Sequence, residues 1–263
     1  MPAKSKLGQN FLRDAVAIER IVAALGDCSA RTVLEIGPGK GAITELLATR
    51  AKQVIAVEVD TALAEHLRSA LPAERVSVVF EDILSYDLEA AAIQAGEKLL
   101  VVGNLPYYIT SPILLKLAAN HSFIERSVLM VQREVADRVA ASPGSRDYGV
   151  LSVTAQMYGP VTPLFTLPPS AFSPPPEVHS NVFRWHFAPR FAELHVEEVS
   201  FIALVKRVFA QKRKTLANNL RAAGYEPAAI AVALKQTGVE STARAEALSL
   251  KQLAALWREL PQK

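Results

Sequence analysis

The sequence predicts an α/β fold in which a mostly parallel sheet is covered by helices on both faces. Short apolar runs rich in β-branched residues alternate with segments of helical periodicity through the first half of the chain. Such runs are typical of parallel strands that are buried on both faces. After about residue 188 the apolar pattern becomes purely helical. We therefore predict two domains, residues 1–188 with the sheet and residues 189–263 with helices alone.

The predicted central strands are short runs with few polar residues. They are Thr32–Ile36, Val54–Val59, Val76–Phe80, Leu99–Val102 and Val128–Val131, with helices expected near 42–50, 61–70, 86–95 and 112–119. Two later runs, Leu151–Met157 and Asn181–Phe187, have no obvious helix between them, so we expect an antiparallel pair at one sheet edge. The proline-rich segment Gly159–Pro176 between them is expected to be a long, stiff, functional loop, because proline lacks the backbone donor.

Composition narrows the class of protein. With 263 residues, of which 50% are apolar, the chain is long enough for one sizeable core plus a small appendage. The single cysteine, Cys28, excludes an intramolecular disulfide and favours a reducing cytoplasm. No apolar run reaches the roughly 18 residues of a membrane span, and the five histidines lack metal-ligand spacing. We expect a cytoplasmic monomer with no metal and no membrane partner.

Positive charge is concentrated at the two ends of the chain. Residues 1–13 contain Lys4, Lys6 and Arg13 and no acid, and residues 189–263 carry a net charge of +5, whereas the whole chain carries only +3. A body of net negative charge with basic ends predicts contacts to a polyanion. An ordinary solvated surface is the alternative.

A glycine turn follows the first central strand, in the sequence Glu35–Gly41. Glycines at a strand-to-helix turn allow the backbone to approach a ligand closely at the sheet edge where α/β proteins bind small molecules. The spacing G-x-G-x-G differs from both the dinucleotide fingerprint and the phosphate-binding loop of nucleotide triphosphatases. The turn predicts a nucleotide-like ligand.

Two acids at the ends of the next strands define that ligand further. Glu58 lies 21 residues after Gly37, at the position where a carboxylate accepts ribose hydroxyls. Asp82 follows the third strand, where it is able to accept a hydrogen bond from an adenine amine. We therefore expect a ribosylated adenine, and NAD remains an alternative.

The fourth strand ends in Asn104-Leu105-Pro106-Tyr107, which resembles the (Asn/Asp/Ser)-Pro-Pro-(Tyr/Phe) motif of methyltransferases acting on exocyclic amines of bases. The Asn104 side-chain oxygen and a backbone carbonyl near Leu105 are expected to hold the two N6 hydrogens of adenine, which aims the nitrogen lone pair at the methyl carbon. Pro106 fixes the turn, and Tyr107 offers a ring face to a base removed from its stack.

Taken together, the motifs resemble the bacterial KsgA/RsmA ribosomal RNA adenine dimethyltransferases, in the group that includes the erythromycin-resistance (Erm) methyltransferases. The resemblance covers nearly the whole chain. Besides the turn, acids and catalytic motif above, it rests on Gly8–Leu12, Phe172–Ser180 and Lys212–Leu220. It implies a Rossmann-like class I methyltransferase sheet, a small all-α C-terminal domain, and S-adenosylmethionine as cofactor.

The resemblance also implies roles for individual residues. Tyr107 and Phe172 would sandwich the flipped adenine, and the substrate would be two adjacent adenosines in the 3′-terminal hairpin loop of 16S rRNA within the immature small ribosomal subunit. The implied cofactor-binding residues are Asn10, Leu12, Gly37, Gly39, Glu58 for the ribose, Asp82 for the adenine, and Asn104.

The C-terminal signature predicts an RNA-binding helix. If residues 205–221 form one continuous helix, five basic residues share an arc of about 120°, beside an apolar arc. A basic stripe of this kind suits RNA phosphates. The predicted RNA-binding residues are Lys206, Arg207, Arg213, Lys214 and Arg221.

Three alternatives remain at this point. An Erm-type enzyme for large-subunit rRNA shares the fold and chemistry, although the Lys212–Leu220 signature argues against it. An assembly factor that binds immature small subunits, with methylation secondary, uses the same surfaces. A nicotinamide oxidoreductase is disfavoured by the glycine spacing.

Overall fold

The computed structural model describes residues 9–261, so Lys4, Lys6 and Gly8 of the predicted N-terminal features lie outside the described residues. The chain divides into two compact units. The first consists of the residues up to 136 together with 161–187, and the second of residues 137–160 together with those from 188 onward. Residues 137–160 therefore belong to the same unit as the C-terminal helices, whereas we expected a single boundary at residue 188. The assignment of separate functions to the two parts stays a prediction.

The first unit is built on a seven-stranded sheet with the order β4-β3-β2-β5-β6-β9-β7. Strands β2 to β6 are parallel to their neighbours, and β9 runs antiparallel to both β6 and β7. This arrangement confirms the predicted α/β class. The strands of this sheet are β2 Thr32–Ile36, β3 Gln53–Glu58, β4 Val76–Phe80, β5 Leu99–Asn104, β6 Ile124–Gln132, β7 Val161–Leu167 and β9 Ser180–His186, while β1 Phe11–Leu12 and β8 Phe172–Ser173 form a separate antiparallel pair.

Three helices of the first unit start at side-chain caps that the sequence provides. Asp14, Asp60 and Asp87 each accept a backbone N–H in the first turn of the following helix. The helices of the first unit are α1 Ala15–Ala24, α2 Ala42–Arg50, α3 Thr61–Ala70, α4 Leu88–Ala95 and α5 Thr110–Ala119, and α6 Arg133–Val139 crosses into the second unit. The remaining helices are α7 Val150–Tyr158, α8 Glu198–Val208, α9 Leu216–Ala222, α10 Pro227–Thr237 and α11 Leu250–Glu259.

The main core lies between the sheet and the helices on one of its faces. Ile21 of α1 and Leu47 of α2 pack in one cluster with sheet residues such as Val54, Val102 and Val128, all at most 2% exposed. Burying a side chain of this size contributes about 1.5–3 kcal/mol. This core holds the strand ends in place. No helix among the described residues has the length and apolar content needed to cross a membrane.

The expectation of a strand at Leu151–Met157 is wrong, because this run forms helix α7. Ser152 Oγ donates to the Arg138 carbonyl at 2.5 Å, and Gln156 Nε2 donates to the Ala141 carbonyl at 2.8 Å. These two polar side chains lie four residues apart and therefore on one helix face. Most of the other side chains are buried as well, and a helix that is buried nearly all round lacks the polar face that distinguishes its sequence from a buried strand.

The proline-rich segment Gly159–Pro176 is also more regular than expected. It contains β7, a 3₁₀ turn at Pro169–Ala171 and β8. Strand β7 lies at the edge of the sheet, and its pairing with β9 shifts register between Pro163 and Phe165. An edge strand with a bulge tolerates proline because the missing donor faces away from the ladder. The antiparallel partner of β9 is therefore β7, and the predicted pairing with 151–157 is corrected.

Candidate active site

The carboxyl ends of β2, β3, β4 and β5 meet at one cleft in the first unit. The cleft contains about 1060 Å³ of empty space, open solvent at its mouth included. The sequence predicts this location, since ligands of α/β sheets bind outside the carboxyl ends of the strands. Its lining includes Asn10, Leu12, Gly37, Gly39, Glu58, Asp82, Asn104, Leu105, Pro106 and Tyr107. The structure thus brings together all the predicted cofactor and catalytic residues except Phe172.

The glycine turn forms the floor of this cleft. Gly37 donates its N–H to the Val57 carbonyl of β3 at 2.9 Å, which ties the turn to the neighbouring strand. Gly39 has a φ of +58°, and a Cβ at this position would lie 2.9 Å from Cδ1 of Phe11. Only glycine combines that backbone conformation with so close an approach. Gly39 therefore allows the turn to pack directly against the Phe11 ring.

Glu58 is buried and holds the glycine turn in place. Its Oε2 accepts the Gly39 N–H at 3.0 Å, and its Oε1 accepts the N–H groups of Val59 and Asp60, both at 3.0 Å. An ionised carboxylate has about four accepting directions, so these three bonds leave roughly one, on Oε2. Glu58 therefore shapes the turn as well as facing the cleft, and its predicted bond to a ribose stays a prediction.

Glu35, at the end of β2, is a cleft residue to which the sequence analysis assigned no role. Its side chain is 2% exposed, and its Oε2 has no hydrogen-bond partner among residues 9–261. Burial, together with the nearby charge of Glu58, raises the pKa of Glu35 to about 7. A buried acceptor without a partner costs about 1–3 kcal/mol. A ligand that donates a hydrogen bond here would relieve that cost. The position of Glu35 directly before the glycine turn was the available signal.

Asp82 lies at the opposite end of the cleft, after β4. Its side chain is exposed, and its Oδ1 accepts the Leu84 N–H at 2.9 Å. The preceding residue, Glu81, donates its N–H to the Glu58 carbonyl at 3.0 Å. The loop that carries Asp82 is therefore hydrogen-bonded to the end of β3, where Glu58 lies. The exposed Val59 and the buried Ile83 supply apolar surface beside them.

Asn104 is held in a defined orientation at the end of β5. Its Nδ2 donates to the Asn10 carbonyl at 2.9 Å, which leaves Oδ1 as the free acceptor of the amide. The next residues form a rigid turn, since Leu105 donates its N–H to the Met130 carbonyl at 2.9 Å and the Pro106 carbonyl accepts the Thr110 hydroxyl at 3.0 Å. An acceptor oxygen thus stands on a fixed backbone in the cleft. This is what gripping an amine requires.

The two tyrosines near this turn, Tyr107 and Tyr108, differ in how accessible their side chains are to a ligand. The Tyr107 hydroxyl forms a 2.8 Å hydrogen bond with Oγ of the buried Ser180 on β9, and burial raises the pKa of Tyr107. Tyr108, which the sequence analysis did not assign, also lines the cleft and is 60% exposed. Tyr107 is therefore anchored at its hydroxyl, and Tyr108 presents an open ring.

Phe172 is not part of the cleft lining in this structure. Its side chain is 4% exposed and belongs to the main core. Phe172 pairs directly with Leu12 across the β1–β8 ladder, and residues that are directly opposite share a face. Because Leu12 is also in that core, Phe172 is held there too. The expected sandwich of a base between Tyr107 and Phe172 is thus not assembled in this arrangement.

The N-terminal segment closes one side of the cleft. Asn10 contributes its carbonyl to Asn104, and Phe11 and Leu12 line the cleft through β1. The Lys40 ammonium lies 4.9 Å from the centre of the Phe11 ring, a cation–π contact that fixes the glycine turn against β1. Among the described residues no cluster of His, Cys, Asp or Glu is suited to hold a metal ion.

The predicted basic helix in the second unit is interrupted. Helix α8 ends at Val208 and α9 begins at Leu216, so residues 205–221 do not form one helix and the single 120° arc is wrong. The side chain of Asn219 accepts the Gln211 N–H at 3.1 Å and donates to the Gln211 carbonyl at 3.2 Å, which stabilises the turn between the helices. Helical periodicity does not reveal such a contact.

The five basic side chains are nevertheless largely accessible. Lys206, Arg213, Lys214 and Arg221 are exposed. Arg207 is half-buried, with its guanidinium 3.4 Å from the Tyr225 hydroxyl. The neighbouring Lys212 donates to the Arg146 carbonyl at 2.6 Å. The predicted RNA contacts therefore come from two short helices and the turn between them.

The cleft offers several polar groups to a ligand. Glu35 provides a buried acceptor without a partner, Gly39 provides a turn with positive φ, and Asp82 provides an exposed acceptor. The predicted contacts of Gly39 and Asp82 with S-adenosylmethionine stay predictions.

The chain is similar to known proteins over nearly its whole length. The family described as "Ribosomal RNA adenine dimethylase" matches residues 2–262. The chain is 62% identical over 258 residues to ribosomal RNA small subunit methyltransferase A of Acidobacterium capsulatum, which covers 98% of this chain and 91% of that protein. It is 50% identical over 269 residues to the protein of the same name from Koribacter versatilis, covering 98% and 94%.

Solved structures show the same fold. A dimethyladenosine transferase from Plasmodium falciparum superposes with a TM-score of 0.77 at 23% identity, covering 94% of this chain and 95% of that one. The 23S rRNA methyltransferase ErmE superposes with a TM-score of 0.72 at 27% identity, covering 95% and 99%. From its full-length match and its cleft, the chain belongs to the ribosomal RNA adenine dimethylase family.

Proposed function

We propose that this protein dimethylates the N6 amines of two adjacent adenosines in the 3′-terminal hairpin loop of 16S rRNA, within the immature small ribosomal subunit. As a member of its family, the chain is an rRNA adenine dimethyltransferase, and S-adenosylmethionine is the methyl donor. The relatives at 62% and 50% identity are named for the small subunit, whereas ErmE, named for 23S rRNA, is 27% identical. This difference favours the small-subunit substrate over the large-subunit alternative.

The orientation of Asn104 carries the proposal. Because Nδ2 is bonded to the Asn10 carbonyl, Oδ1 is the atom left to accept an amine hydrogen. A base amine is a poor nucleophile because its lone pair is delocalised into the ring. Accepting its hydrogens at Asn104 Oδ1 and at a carbonyl near Leu105 localises and aims that lone pair. When bound, S-adenosylmethionine supplies a methyl carbon on a sulfonium, whose leaving group is a neutral thioether.

The remaining residues of the site position the two reactants. Glu58 holds the glycine turn through Gly39, and Glu35 is the buried acceptor closest in sequence to that turn. We propose that Tyr107, whose hydroxyl is bonded to Ser180, offers a ring face to the target base. The chain thus contributes orientation and hydrogen-bond acceptors, and the reaction requires no protein nucleophile.

We propose further that the basic residues of the second unit bind rRNA phosphates. They are Lys206, Arg207, Arg213, Lys214 and Arg221, four of which are exposed. Charge contacts of this kind supply affinity, while RNA shape supplies most of the choice of site. We also propose that the protein acts as a monomer, and a ribosomal substrate supports a cytoplasmic location.

Replacing Asn104 tests the proposal. Asn104→Ala removes the acceptor at the amine, so we expect the rate of methyl transfer to fall by about 100-fold or more, while the affinity for small subunits stays within about twofold. The measurement uses separated, unmethylated small and large subunits with labelled cofactor, followed by mapping of the modified bases.

The matched control is Asn120→Ala, at an asparagine whose amide caps the end of α5 away from the cleft; this variant should methylate normally. Methylation confined to large subunits would overturn the substrate assignment, and full activity of Asn104→Ala would overturn the role of Asn104.

A further inference from the structure

Lys116 connects the helix that follows the catalytic motif to the loop that carries Asp82. It lies on α5, is half-buried, and donates from Nζ to the Leu84 carbonyl at 2.9 Å. Leu84 in turn donates its own N–H to Asp82 Oδ1 at 2.9 Å. One residue, Leu84, is therefore bonded on one side to Lys116 and on the other to the carboxylate proposed for the adenine.

The loop is otherwise fixed mainly at its beginning and by its own turn. Glu81 donates its N–H to the Glu58 carbonyl at 3.0 Å, and the N–H groups of Ser85 and Tyr86 both lie 2.9 Å from the Asp82 carbonyl. Ile83 of this turn is buried, and the bond from Lys116 adds a polar side-chain contact between the turn and helix α5. Without that bond, the Asp82 turn would keep its local shape and its buried Ile83 but lose its hydrogen bond to α5.

The charges around Lys116 favour this attachment. Burial lowers the pKa of Lys116, but Glu81, Asp87 and Asp82 all act to raise it. A half-buried ammonium is stable when opposite charges and an acceptor compensate for its lost hydration. The acidic loop supplies both, so the ammonium and the loop stabilise each other's position.

Helix α5, to which the loop is attached through Lys116, is itself hydrogen-bonded to the catalytic turn. Helix α5 starts at Thr110, whose hydroxyl is bonded to the Pro106 carbonyl of the catalytic turn. Lys116 lies six residues further along, about 9 Å at 1.5 Å per residue. The same rigid helix therefore joins the catalytic turn at one end and the Asp82 loop near the other.

We infer that Lys116 is a positioning residue that sets the preference of the cofactor site for adenine, by holding Leu84 and, through it, the Asp82 carboxylate. The inference rests on the proposed assignment of Asp82 to the adenine amine. Lys116 itself is expected to make no contact with the cofactor.

A pair of product analogues separates this role from a general effect on the fold. S-adenosylhomocysteine carries the 6-amino group that Asp82 would accept from, and S-inosylhomocysteine carries a carbonyl oxygen there instead. The inosine base also carries a hydrogen on N1, so the ratio of their dissociation constants, measured by calorimetry on the full-length protein, reports recognition of the 6-amino and N1 edge of adenine. We expect Lys116→Met to reduce this ratio by about fivefold or more, as the loss of one charge-assisted hydrogen bond allows.

Companion variants complete the test. Lys116→Arg keeps a cationic donor and should retain the ratio within about twofold, which also provides a readout if Lys116→Met does not fold. Lys52→Met, at an exposed lysine on the other side of β3 from the cleft loops, should leave the ratio unchanged. The turnover number of Lys116→Met at saturating S-adenosylmethionine should stay within about twofold of the unmodified protein, with the effect confined to the KM for the cofactor.

An equal loss of affinity for both analogues in Lys116→Met would show a merely structural role and overturn the inference. An unchanged ratio in Asp82→Ala, which removes the acceptor, would overturn it as well, because Asp82 would then not read the amine. Neither result bears on methyl transfer itself, which the small-subunit assay with Asn104→Ala measures separately.

Discussion

At the scale of single residues, the cleft contains a few hydrogen-bond acceptors. Each is either oriented by a neighbouring group or left with an unused accepting position. Asn104 is turned by the Asn10 carbonyl, Glu58 uses most of its capacity on the glycine turn, and Glu35 keeps one buried oxygen without a partner. A buried acceptor with an unused position destabilises the fold when no ligand is bound, and it stabilises a ligand that donates a hydrogen bond to it. The residues that prepare the site are therefore also those that reduce the stability of the protein without its cofactor.

Glu35 provides a pH test of this view. Its pKa rises from 4.5 to about 7 on folding, so between these values the folded chain binds more protons than the unfolded chain. Stability should therefore fall as pH rises through this window, by on the order of 3 kcal/mol in total. Glu35→Gln removes the titration. We expect the free energy of unfolding of Glu35→Gln, relative to the unmodified protein, to increase between pH 5 and pH 8 in urea titrations.

The same measurements contain their control. Because other carboxylates titrate equally in both proteins, their contributions cancel in the difference. A difference that is the same at pH 5 and pH 8 would mean that Glu35 is ionised normally in the fold.

At the scale of elements, two short strands decide which aromatic side chains face the cleft. Strand β1 pairs with β8 so that Leu12 and Phe172 lie opposite each other in the core, while Phe11 and the edge of Leu12 line the cleft and Phe172 does not. In a ladder of two residues per strand, a slip of one residue would exchange the two faces. The availability of Phe172 is thus a property of this pairing.

The burial of Phe172 predicts a structural phenotype. Phe172→Ala should lower the free energy of unfolding by about 3–5 kcal/mol, because it leaves a cavity in the main core. Phe80→Ala is the control, since Phe80 is 51% exposed at the sheet edge, and it should change stability by less than about 1 kcal/mol. Both are measured by denaturant titration without RNA. If Phe172→Ala unfolds like Phe80→Ala, the ring is not in the core in solution.

At the scale of the whole molecule, positive charge is concentrated in the C-terminal part of the chain. The residues from 189 onward carry a net charge of +5 in a chain whose total is +3. The cations of α8, α9 and the turn between them are largely exposed, although they are not on a single helix. Binding to rRNA phosphates should therefore depend strongly on salt.

The salt dependence tests this surface. Replacing Arg213, Lys214 and Arg221 by Gln should weaken binding to small subunits and reduce the slope of log K against log salt by about 2–3, since each phosphate contact contributes roughly 0.7–0.9. The control replaces Lys235 and Lys251, which are exposed in the same unit. An unchanged slope in the first variant would exclude these three residues as the RNA contact.

The sequence by itself determined several central strands, the glycine turn, and the polar residues that follow the strands. The runs Thr32–Ile36 and Val76–Phe80 are strands with the predicted bounds, and Glu58, Asp82 and Asn104 stand at strand ends as expected. These features are local: apolar periodicity, a glycine turn and a polar residue at a strand end all depend on neighbours within a few positions.

Only the tertiary structure decided the features that depend on distant partners. Whether 150–158 is a helix or a strand, whether Pro163 sits at an edge, and whether Phe172 faces core or cleft each depend on what packs against that segment. The link from Lys116 to Leu84 spans 32 residues, and the interruption before Leu216 depends on one buried amide. Periodicity within a segment carries no record of such contacts, because they form only when separate segments meet in the folded chain.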